Sequence, residues 1–449
     1  MAAGHGTRMR SSLPKVLHPV CGQPMLGWVI NAAKGAGAAR IVCVARDAEQ
    51  LGPALPDGVE AVEQSEGEGT GTAVLAAREA IDGARSVVVL SGDHPLISAR
   101  LIEQLTSTHE REQAAATVLT TESLDPAGYG RVVRSEDGTV ERIVETKHAE
   151  NVPDEELAIR EINVGTYVFD GRELVNALDR VAETGGERYL TDVFPLLREG
   201  GKRIAAHTTE DVASAIGVNS RADLIEVERL AHTDIVRAHA LAGVSFVLPH
   251  TSVIEAGVAI GEDTVIEPGT SLLGATTVGR DSRIGPHSTL VDATVGDGVA
   301  AAHSYLTECE VKNGATIGPF AHIRPKTVVG ENAKVGTFVE TKNADVGAGA
   351  KVPHLTYLGD ADVGEGANIG AGTITANYDG RTKHRTEIGA GVKTGVHTSL
   401  VAPVTVGDRA YTGAGSVITE DVPAGALGIS RPEQTNVEGY SDRVEKEAQ

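Results

Sequence analysis

Aliphatic residues recur at intervals of six throughout the second half of the chain. The first unbroken series consists of Ile254, Ile260, Ile266, Leu272, Val278, Ile284 and Leu290. The period shifts at a few points and then resumes, and glycine directly follows many of its members. A six-residue period fits neither the 3.6-residue repeat of an α-helix nor the simple alternation of a strand. It is typical of a triangular coil, in which the aliphatic side chain fills a narrow interior and glycine permits the tight corner.

This pattern predicts a left-handed parallel β-helix of hexapeptide repeats over residues 244–431, followed by a tail at 432–449. A disordered, glycine-rich segment is the alternative. Nothing would then keep β-branched residues in phase over so many repeats.

The first half alternates short apolar runs with helical patterns. The apolar runs predict strands at 39–46, 86–93, 114–121 and 162–170. Such alternation is typical of a Rossmann-like α/β domain with a largely parallel sheet, which we assign to residues 1–220. Residues 221–243 carry an apolar stripe amid charged residues and predict a connecting amphipathic helix.

Composition indicates two or three globular domains built from small and aliphatic residues. The chain has 449 residues, of which 53 are glycine, while aromatic residues make up only 3%. With 40 Lys and Arg against 62 Asp and Glu, the formal net charge is −22. A chain this acidic offers no general basic face to a phosphate backbone, so we expect no nucleic-acid partner.

Cysteine usage and hydropathy favour the cytoplasm. Cys21, Cys43 and Cys309 are too widely spaced for a disulfide framework or a zinc ligand cluster, and we expect them to be inert. No apolar run approaches the ~18 residues of a membrane span, and the opening MAAGHGTRMRSS lacks the apolar region of a signal peptide. We therefore expect a cytoplasmic protein without a membrane partner.

Two glycine turns and one acidic residue of the first half could bind a nucleotide. The opening GHGTRMRSSLPK places Arg8 and Lys15 after a turn whose backbone N–H groups could cradle phosphates. A second turn, EGTGTA at 68–73, opens a helix. Asp93 follows a buried strand, where α/β sheets bind ligands and where a carboxylate suits Mg²⁺. The alternatives are an ordinary surface loop for the first turn and helix capping for Asp93.

In the second half, unusual polar residues collect where the repeats are interrupted. One interruption carries Glu340 and Lys342, and another, between Thr375 and Ile388, carries ANYDGRTKHRTE. Loops that interrupt a solenoid are where binding residues gather. A hexapeptide coil by itself only suggests acyl transfer, because many such coils are spacers.

Several motifs, taken in chain order, resemble those of sugar nucleotidyltransferases. They are GxGTRMxSxxPKVLH, GTGxA, SGDxPLI, GYGR at 128–131, IVE at 143–145, INVGTY and GVNS at 217–220. The hexapeptide half adds HLTYLGD and NYDG. Nearly the whole chain is therefore similar to the bacterial bifunctional family of N-acetylglucosamine-1-phosphate uridyltransferases and glucosamine-1-phosphate acetyltransferases.

The resemblance implies an enzyme that makes UDP-N-acetylglucosamine for peptidoglycan and, where present, lipopolysaccharide. Acetyl-CoA would first acetylate the amine of glucosamine-1-phosphate. The product would then attack the α-phosphorus of UTP and expel pyrophosphate in a Mg²⁺-dependent step, catalysed mostly by positioning and charge neutralisation. We also expect a homotrimer with shared acetyl-transfer sites, because a β-helix exposes long parallel faces and incomplete edge sites.

The resemblance assigns roles to residues of the first half. Arg8 and Lys15 would be catalytic, and Asp93 and Asn219 would hold Mg²⁺. The residues that would surround the nucleotide and the sugar are Ala2, Gly4, Lys15, Gln64, Gly69, Thr70, Gly130, Glu145, Asn163 and Asn219. Thr72 stands where relatives usually have His, a change that leaves the phosphate and metal residues untouched.

For the second half, the resemblance implies that His354 is the general base that deprotonates the sugar amine. Histidine suits this role because its reference pKa of about 6.5 leaves much of it neutral. The residues that would clamp glucosamine phosphate are Arg324, Lys342, Tyr357 and Asn368. The residues that would contact acetyl-CoA and help to orient the amine are Asn377, Tyr378, Lys383, Ala414 and Arg431. Val396 stands where relatives often have Ser, which would remove one polar contact.

Two other functions remain open on the sequence. One is a nucleotidyltransferase with a merely structural coil, similar to the ADP-glucose pyrophosphorylases, and the acetyl-transfer residues argue against it. The other is a non-catalytic assembly or regulatory subunit. Against this second reading stands the joint presence of Arg8, Lys15, Asp93, Asn219 and His354.

The start of the chain carries one more expectation. In an α/β nucleotidyltransferase the first phosphate-binding turn follows an apolar strand, whereas here the turn begins at Ala2. We expect that a central strand of ~5 to 6 residues is absent. The uridyltransferase half would then be weakened and the coil unaffected.

Overall fold

The computed structural model describes residues 1–65, 67–146, 152–183 and 186–447. The chain divides into two compact units, Met1–Asp234 and Ile235–Gln449. None of the helices in the described ranges is long and apolar enough to cross a membrane. The expected tail at 432–449 contains one helix, Tyr440–Glu447, and its residues 448–449 lie outside the described part.

The first unit is an α/β domain. Its strands are β1 (Pro19–Val20), β2 (Gln23–Pro24), β3 (Ile41–Ala45), β4 (Val59–Glu63), β5 (Ser86–Val89), β6 (Ala116–Thr121), β7 (Gly130–Arg134), β8 (Val140–Val144), β9 (Ile162–Asp170) and β10 (Ile204–Thr208). Its helices are Met25–Gly35, Ala48–Leu51, Thr70–Ala76, Arg78–Ile81, Ala99–Arg111, Asp154–Leu157, Gly171–Leu178, Val193–Glu199, Val212–Ala215 and the start of Arg221–Leu241. The four predicted strands are confirmed as β3, β5, β6 and β9.

The expectation of a largely parallel sheet is wrong, because β9 reverses the pairing. β6 runs parallel to β10 but antiparallel to β9. β9 is also antiparallel to β5 and β7, and β7 forms a hairpin with β8. β3 and β4 form a separate parallel pair. The β7–β8 hairpin sends the chain back into the sheet in the opposite direction, which a strand-and-helix alternation does not reveal.

The first residues of the chain lie between β3 and β5. The Met1 amino group donates to the carbonyl of Leu90 at 2.7 Å, and the Ala2 N–H donates to the carbonyl of Val44, also at 2.7 Å. The Gly92 N–H in turn donates to the Met1 carbonyl at 2.8 Å. The expectation of an absent central strand stays a prediction.

The second unit is a left-handed parallel β-helix with three flat faces. Face A comprises Ser245–Phe246, Val265–Ile266, Arg283–Ile284, Ala300–Ala301, Thr316–Ile317, Lys334–Thr337, Lys351–His354, Tyr411–Thr412 and Leu427–Gly428. Face B comprises Val253–Ile254, Ser271–Leu273, Thr289–Val291, Tyr305–Thr307, His322–Ile323, 340–342, 357–359, Ile374–Ala376, Ser399–Val401 and Val417–Ile418. Face C comprises Ala259–Ile260, Thr277–Val278, Thr294–Val295, Glu310–Val311, Val328–Val329, 344–346, 361–363, Thr386–Ile388 and Val404–Val406. Strands of the same face pair in parallel from one coil to the next.

The aliphatic residues of the six-residue period fill the interior, as predicted. Ile254, Leu272 and Leu290, which lie on face B, are fully buried. Serine and threonine residues are buried beside the corners, where their hydroxyl groups donate hydrogen bonds to backbone carbonyls. Thr264 Oγ1, for example, donates to Gly279 O at 2.7 Å. The narrow interior therefore explains why so few aromatic residues are present.

The glycines that follow an interior residue serve two purposes. Gly285 and Gly318 have φ values of +99° and +90°, which is the corner role that was predicted. At other corners the left-handed conformation occurs later and is carried by other residues, such as Asp281 and His303.

Gly279 instead makes room for the next coil. A Cβ on Gly279 would lie 2.5 Å from the carbonyl carbon of Gly296 and 2.7 Å from the nitrogen of Asp297. Close stacking of coils, rather than turn geometry, requires glycine there.

Cys21, Cys43 and Cys309 are buried, and within the described residues they form no disulfide. Burial raises the pKa of the Cys43 thiol, and raises that of Cys309 to about 12. Both thiols are therefore protonated and unreactive at neutral pH, as expected.

Candidate active sites

The phosphate-binding candidates of the first unit converge on one point. Lys15 Nζ donates hydrogen bonds to Asp93 Oδ2 at 2.5 Å and to Asn219 Oδ1 at 2.9 Å. Arg8 Nη2 donates to the same Asn219 oxygen at 2.9 Å. The Lys15 side chain is only 11% exposed. Partial exclusion of water strengthens these charge-assisted contacts.

Local structure fixes the position of each of these side chains. Lys15 begins a 3₁₀ turn, Lys15–Leu17, directly after Pro14. Asp93 lies just beyond the carboxyl end of β5, the edge at which α/β sheets bind ligands. Asn219 precedes the helix Arg221–Leu241, and its N–H donates to Asp223 Oδ2 at 2.9 Å.

Neighbouring groups keep Asp93 ionised. Burial alone would raise the pKa of this carboxyl, but a hydrogen bond with His94 and the charges of His94 and Lys15 hold it well below its usual range. His94 Nδ1 lies 3.0 Å from Asp93 Oδ1, and its side chain is 12% exposed. A Cβ on Gly217 would lie 2.9 Å from the His94 ring, so the ring is closely packed. No sequence motif singled out His94.

The oxygen donors at this point suit Mg²⁺. Asp93 and Asn219 direct a carboxylate and an amide oxygen at one cation, the Lys15 ammonium. In the described ranges no three His, Cys, Asp or Glu side chains gather into a metal cluster. Mg²⁺ commonly takes one or two carboxylates and completes its shell with water and phosphate oxygens. The donor set therefore fits a nucleotide-bound Mg²⁺.

A cavity of about 260 Å³ opens beside the Lys15–Asp93 pair. Its lining includes Ala2, Gly4, Lys15, Gln64, Gly69, Thr70 and Asp93. Gln64 is buried, and its amide donates to Gly67 O at 3.0 Å. The structure thus brings Gln64, Gly69 and Thr70, which were predicted to surround the nucleotide, to the same cavity as Lys15 and Asp93.

The turn at 68–71 depends on Gly69. Gly69 has a φ of +98°, and a Cβ there would overlap the carbonyl oxygen of Arg188 and lie 2.8 Å from the Arg188 nitrogen. Hydrogen bonds join the two segments: Gly71 N–H donates to Arg188 O at 2.8 Å, and Arg188 N–H donates to Glu68 O at 2.9 Å. Thr72, the departure noted in the sequence, donates from Oγ1 to Glu68 O at 2.8 Å. Its hydroxyl therefore supports the same turn.

The rim of the cavity carries an ionic network that the motifs did not indicate. His5 Nε2 lies 3.2 Å from Glu68 Oε1, and the Arg46 guanidinium pairs with the other oxygen of Glu68. Arg46 Nε also donates to Ala3 O at 3.0 Å. This network links the opening glycine turn to the turn at 68–71.

The residues assigned to the sugar meet where β7, β8 and β9 join. Gly130 pairs with Asn163 across β7 and β9, and Glu145 directly follows β8. The Asn163 amide donates to the Tyr167 hydroxyl at 2.7 Å, and the Thr191 hydroxyl donates to Glu145 Oε1 at 2.9 Å. Burial raises the pKa of Tyr167, so its hydroxyl stays protonated. Tyr167 is the last residue of the INVGTY motif but was given no role there, and Thr191 was not indicated by any motif.

Cations of the second unit gather at the corner between faces B and C. Arg324 and Lys342 hold equivalent positions on successive coils. The charges of Lys383 and Arg324 lower the pKa of Lys342, because both cations lie close enough to Lys342 to repel its ammonium. Arg324 is partly neutralised by Glu340, with 2.7 Å between Nη1 and Oε1. Such a cluster is suited to a phosphate.

Tyr357 and Asn377 lie against the same corner. A Cβ on Gly359 would be 2.6 Å from Tyr357 Cζ and 2.8 Å from Asn377 Nδ2, so both side chains cover this glycine. Asn377 Nδ2 donates to Asp360 Oδ2 at 2.5 Å. Tyr378 is 60% exposed beside them. Arg324, Lys342, Tyr357, Asn377 and Lys383 are therefore brought together.

His354 lies at the opposite edge of face B, at its corner with face A. Hydrogen bonds between coils stack it with residues in the same position of the next coils, which together we call the corner row: His354, Ala371, Val396 and Ala414. His354 is exposed, and within the described residues its ring has no hydrogen-bond partner. Arg431 Nη1 donates to Ala414 O at 2.9 Å. The base candidate and two acetyl-CoA candidates therefore share one edge of the coil.

Asn368 lies apart from the other candidates for the amino sugar. It is an exposed residue of face A, where single bridges connect it to Lys351 and Lys393. The cation cluster lies at the far corner of face B. Within one chain the two parts cannot surround the same small ligand.

An arginine that the sequence did not indicate fixes the loop that carries Lys383. Arg385 forms a two-pronged ion pair with Asp362 and reaches Asp345 Oδ2 at 3.3 Å. Its Nη1 also donates to Asn343 O at 3.2 Å. These contacts hold the loop against face C.

Together, the fold and the two sites define a two-part transferase, in which a nucleotidyltransferase unit precedes a hexapeptide-repeat acyltransferase unit. The MobA-like NTP transferase domain family matches residues 1–199, and the bacterial transferase hexapeptide family (six repeats) matches residues 308–343.

Curated relatives align along nearly the whole chain, and each carries the name bifunctional protein GlmU. The protein of Shouchella clausii is 45% identical over 98% of this chain and 97% of its own length. That of Mycolicibacterium paratuberculosis is 47% identical over 99% and 92%, and that of Streptomyces avermitilis is 45% identical over 99% and 93%. The chain belongs to the bifunctional GlmU family of uridyltransferases and acetyltransferases.

Proposed function

We propose that the chain makes UDP-N-acetylglucosamine, by acetyl transfer in the second unit followed by uridylyl transfer in the first. The observation that carries the proposal is a pair of separate cation clusters, one around Lys15 and one around Lys342. Each is suited to a phosphate, and each shares its unit with a group fit for a different reaction. Asp93 stands in the first unit and His354 in the second. The product would supply peptidoglycan synthesis.

In the acetyl-transfer step, the amine of glucosamine-1-phosphate attacks the thioester carbonyl of acetyl-CoA. A C–N bond forms and the C–S bond breaks. His354 takes the proton from the amine and passes it to the departing sulfur, a role that its unpartnered ring permits. The groups that hold the sugar phosphate are Arg324, Lys342, Tyr357 and Asn368. Acetyl-CoA is contacted by Asn377, Tyr378, Lys383, Ala414 and Arg431.

In the uridylyl-transfer step, a phosphate oxygen of N-acetylglucosamine-1-phosphate attacks the α-phosphorus of UTP in line. The bond from that phosphorus to the bridging oxygen breaks, and pyrophosphate leaves without a covalent enzyme intermediate. Arg8, Lys15 and the N–H groups near Gly4 neutralise the triphosphate. The uracil is bound by Ala2, Gln64, Gly69 and Thr70, and the sugar by Gly130, Glu145 and Asn163.

Asp93 and Asn219 hold Mg²⁺ in this proposal. When bound, the ion neutralises the triphosphate and orients it. The convergence of both side-chain oxygens on the Lys15 ammonium supports this, because it places two hard oxygen donors around one cation position.

We further propose a cytoplasmic homotrimer that has neither a nucleic-acid nor a membrane partner. One chain divides its amino-sugar residues between the Lys342 cluster and Asn368 on face A. Copies packed side by side would complete each acceptor site. We keep the domain limits 1–220, 221–243, 244–431 and 432–449 as part of this proposal. Light scattering that gave a monomer at micromolar concentration would contradict the trimer.

Separate assays of the two half-reactions test the function. His354→Ala should lower acetyl transfer by about 10² to 10⁴ and leave uridylyl transfer unchanged, because only general-base catalysis is lost. Asp93→Ala should do the reverse. Each variant is the control for the other. An acetyl rate within a few-fold of the unaltered chain in the His354 variant would exclude this residue as the base, and the absence of either activity from the unaltered chain would exclude the bifunctional assignment.

A further inference from the structure

A second row of side chains runs along face A beside the corner row. Single backbone bridges join Lys351 to Asn368, Asn368 to Lys393, and Lys393 to Tyr411. On successive coils the two rows form the pairs Lys351 and His354, Asn368 and Ala371, Lys393 and Val396, and Tyr411 and Ala414. Coils advance by one strand spacing, about 4.8 Å, so both rows extend along the coil axis.

Beyond His354, the corner row offers only the small or aliphatic side chains of Ala371, Val396 and Ala414. A narrow, largely apolar arm could lie along it without meeting a bulky or charged group. From His354 to Ala414 the row spans three strand spacings, about 14 Å. An extended pantetheine arm can cover that distance.

Two cations contact the coil at the far end of this row. The Lys393 ammonium stands over the Tyr411 ring, 5.5 Å from its centroid. The Arg431 guanidinium bonds to Ala414 O, three residues further along the same coil. Within the described ranges neither cation pairs with a carboxylate. In a chain with a net charge of −22, two cations left without acidic partners at one place indicate an anionic ligand.

We propose that Lys393, together with Arg431, binds the phosphate groups at the nucleotide end of acetyl-CoA. The inference rests on the proposed acetyl transfer, since the thioester must lie at His354. The pantetheine arm then follows the corner row, and the phosphates reach the Tyr411–Ala414 coil. Contact of Lys393 with the Tyr411 ring holds its ammonium at this coil instead of leaving it free in solvent.

The test compares two acyl donors that differ in the phosphates. Acetyl-CoA carries them, whereas S-acetyl-pantetheine ends before them. Lys393→Gln should raise the KM for acetyl-CoA about tenfold, the loss typical of a charge-assisted hydrogen bond, and leave the KM for S-acetyl-pantetheine unchanged. Added salt should raise the acetyl-CoA KM of the unaltered chain more than that of the variant.

Lys334→Gln is the matched control. Lys334 lies in the same outward position of face A, on the coil before Lys351 and on the side of His354 away from Ala414. Its loss should change neither KM. Unchanged kinetics with S-acetyl-pantetheine report that the acetyl-transfer unit of each variant is folded.

Other outcomes would overturn the inference. Equal rises in KM for both acyl donors would mean that Lys393 supports the arm or the fold, and no rise would mean that it binds nothing. If Lys393→Gln raised only the KM for glucosamine-1-phosphate, Lys393 would bind the sugar phosphate and not acetyl-CoA. If the unaltered chain transferred acetyl from neither donor, the proposed function itself would fall, and the inference with it.

Discussion

Replacing Gly69 by alanine should damage the uridylyl-transfer unit for two reasons that can be separated. With a φ of +98° and a ψ of +164°, Gly69 occupies a backbone region almost confined to glycine, where a residue with a Cβ costs about 1 to 3 kcal/mol. The new Cβ would also overlap the Arg188 carbonyl oxygen and push that segment away. Two backbone hydrogen bonds then break, from Gly71 N–H to Arg188 O and from Arg188 N–H to Glu68 O. Each contributes about 0.5 to 1.5 kcal/mol.

The Gly69→Ala loss is therefore about 2 to 6 kcal/mol in the free energy of unfolding of the first unit. At about 3 °C per kcal/mol, calorimetry should find its Tm lowered by about 6 to 18 °C. The KM for UTP should rise because Thr70 and the turn at 68–71 move, while acetyl transfer should stay unchanged.

Gly83→Ala is the matched control for the backbone strain. Gly83 has a φ of +75° and no atom within 4 Å of the position of a Cβ, so it reports the strain without the overlap. Its Tm should fall by only about 3 to 6 °C, with the KM for UTP unchanged. Equal losses in the two variants would refute the argument that contact with Arg188 makes Gly69 necessary.

Three further predictions concern residues that act through their neighbours. Arg385→Leu should raise the KM for glucosamine-1-phosphate about tenfold and spare uridylyl transfer, because the loop that carries Lys383 loses its ion pairs; an unchanged KM would contradict this. His94→Leu should lower the kcat of uridylyl transfer about tenfold, because Asp93 loses its hydrogen bond with the ring. His94→Asn keeps a donor near Asp93 and should retain most of the kcat. Equal kcat values in the two variants would mean that this hydrogen bond does not contribute to the rate. Neighbouring cations lower the pKa of Lys342, so its ammonium loses its proton at a lower pH than an ordinary lysine does. Because the neutral amine binds phosphate less well, the KM for glucosamine-1-phosphate should begin to rise at that lower pH. Lys383→Gln removes the largest repulsion and should move that rise to higher pH, so a KM profile shifted the other way would contradict the cause.

The coil was the more predictable half, because its six-residue period expresses burial directly. Leu272 and Leu290 point inward where the pattern placed them. The purpose of a glycine such as Gly279 could not be predicted in the same way. Gly279 is required by the backbone of a coil that follows 18 residues later, and that proximity exists only after folding.

In the first half, strand positions followed from composition, but strand direction did not. β9 looks like any other apolar run, and only the hairpin before it turns it antiparallel. Lys15, Asp93 and Asn219 could be predicted from the sequence, because motifs contain them and the edge of the sheet brings them together. His94 carries no signal of its own. Tyr167 stands in the INVGTY motif, but its hydrogen bond with Asn163 could not be predicted from that motif.

The stacking of coils also determines how the acetyl-transfer unit would respond to heat. Each coil is stabilised mainly by the coils on either side, so melting starts at the ends of the stack and advances inward. Six strands of face A precede the one that carries His354, which leaves the base well inside the stack. The coil of Tyr411 and Ala414 pairs with Leu427–Gly428, the last strand described on that face. Warming should therefore loosen the hold on the far end of acetyl-CoA while the proton acceptor is still in place, so that the KM for the acyl donor climbs before kcat declines.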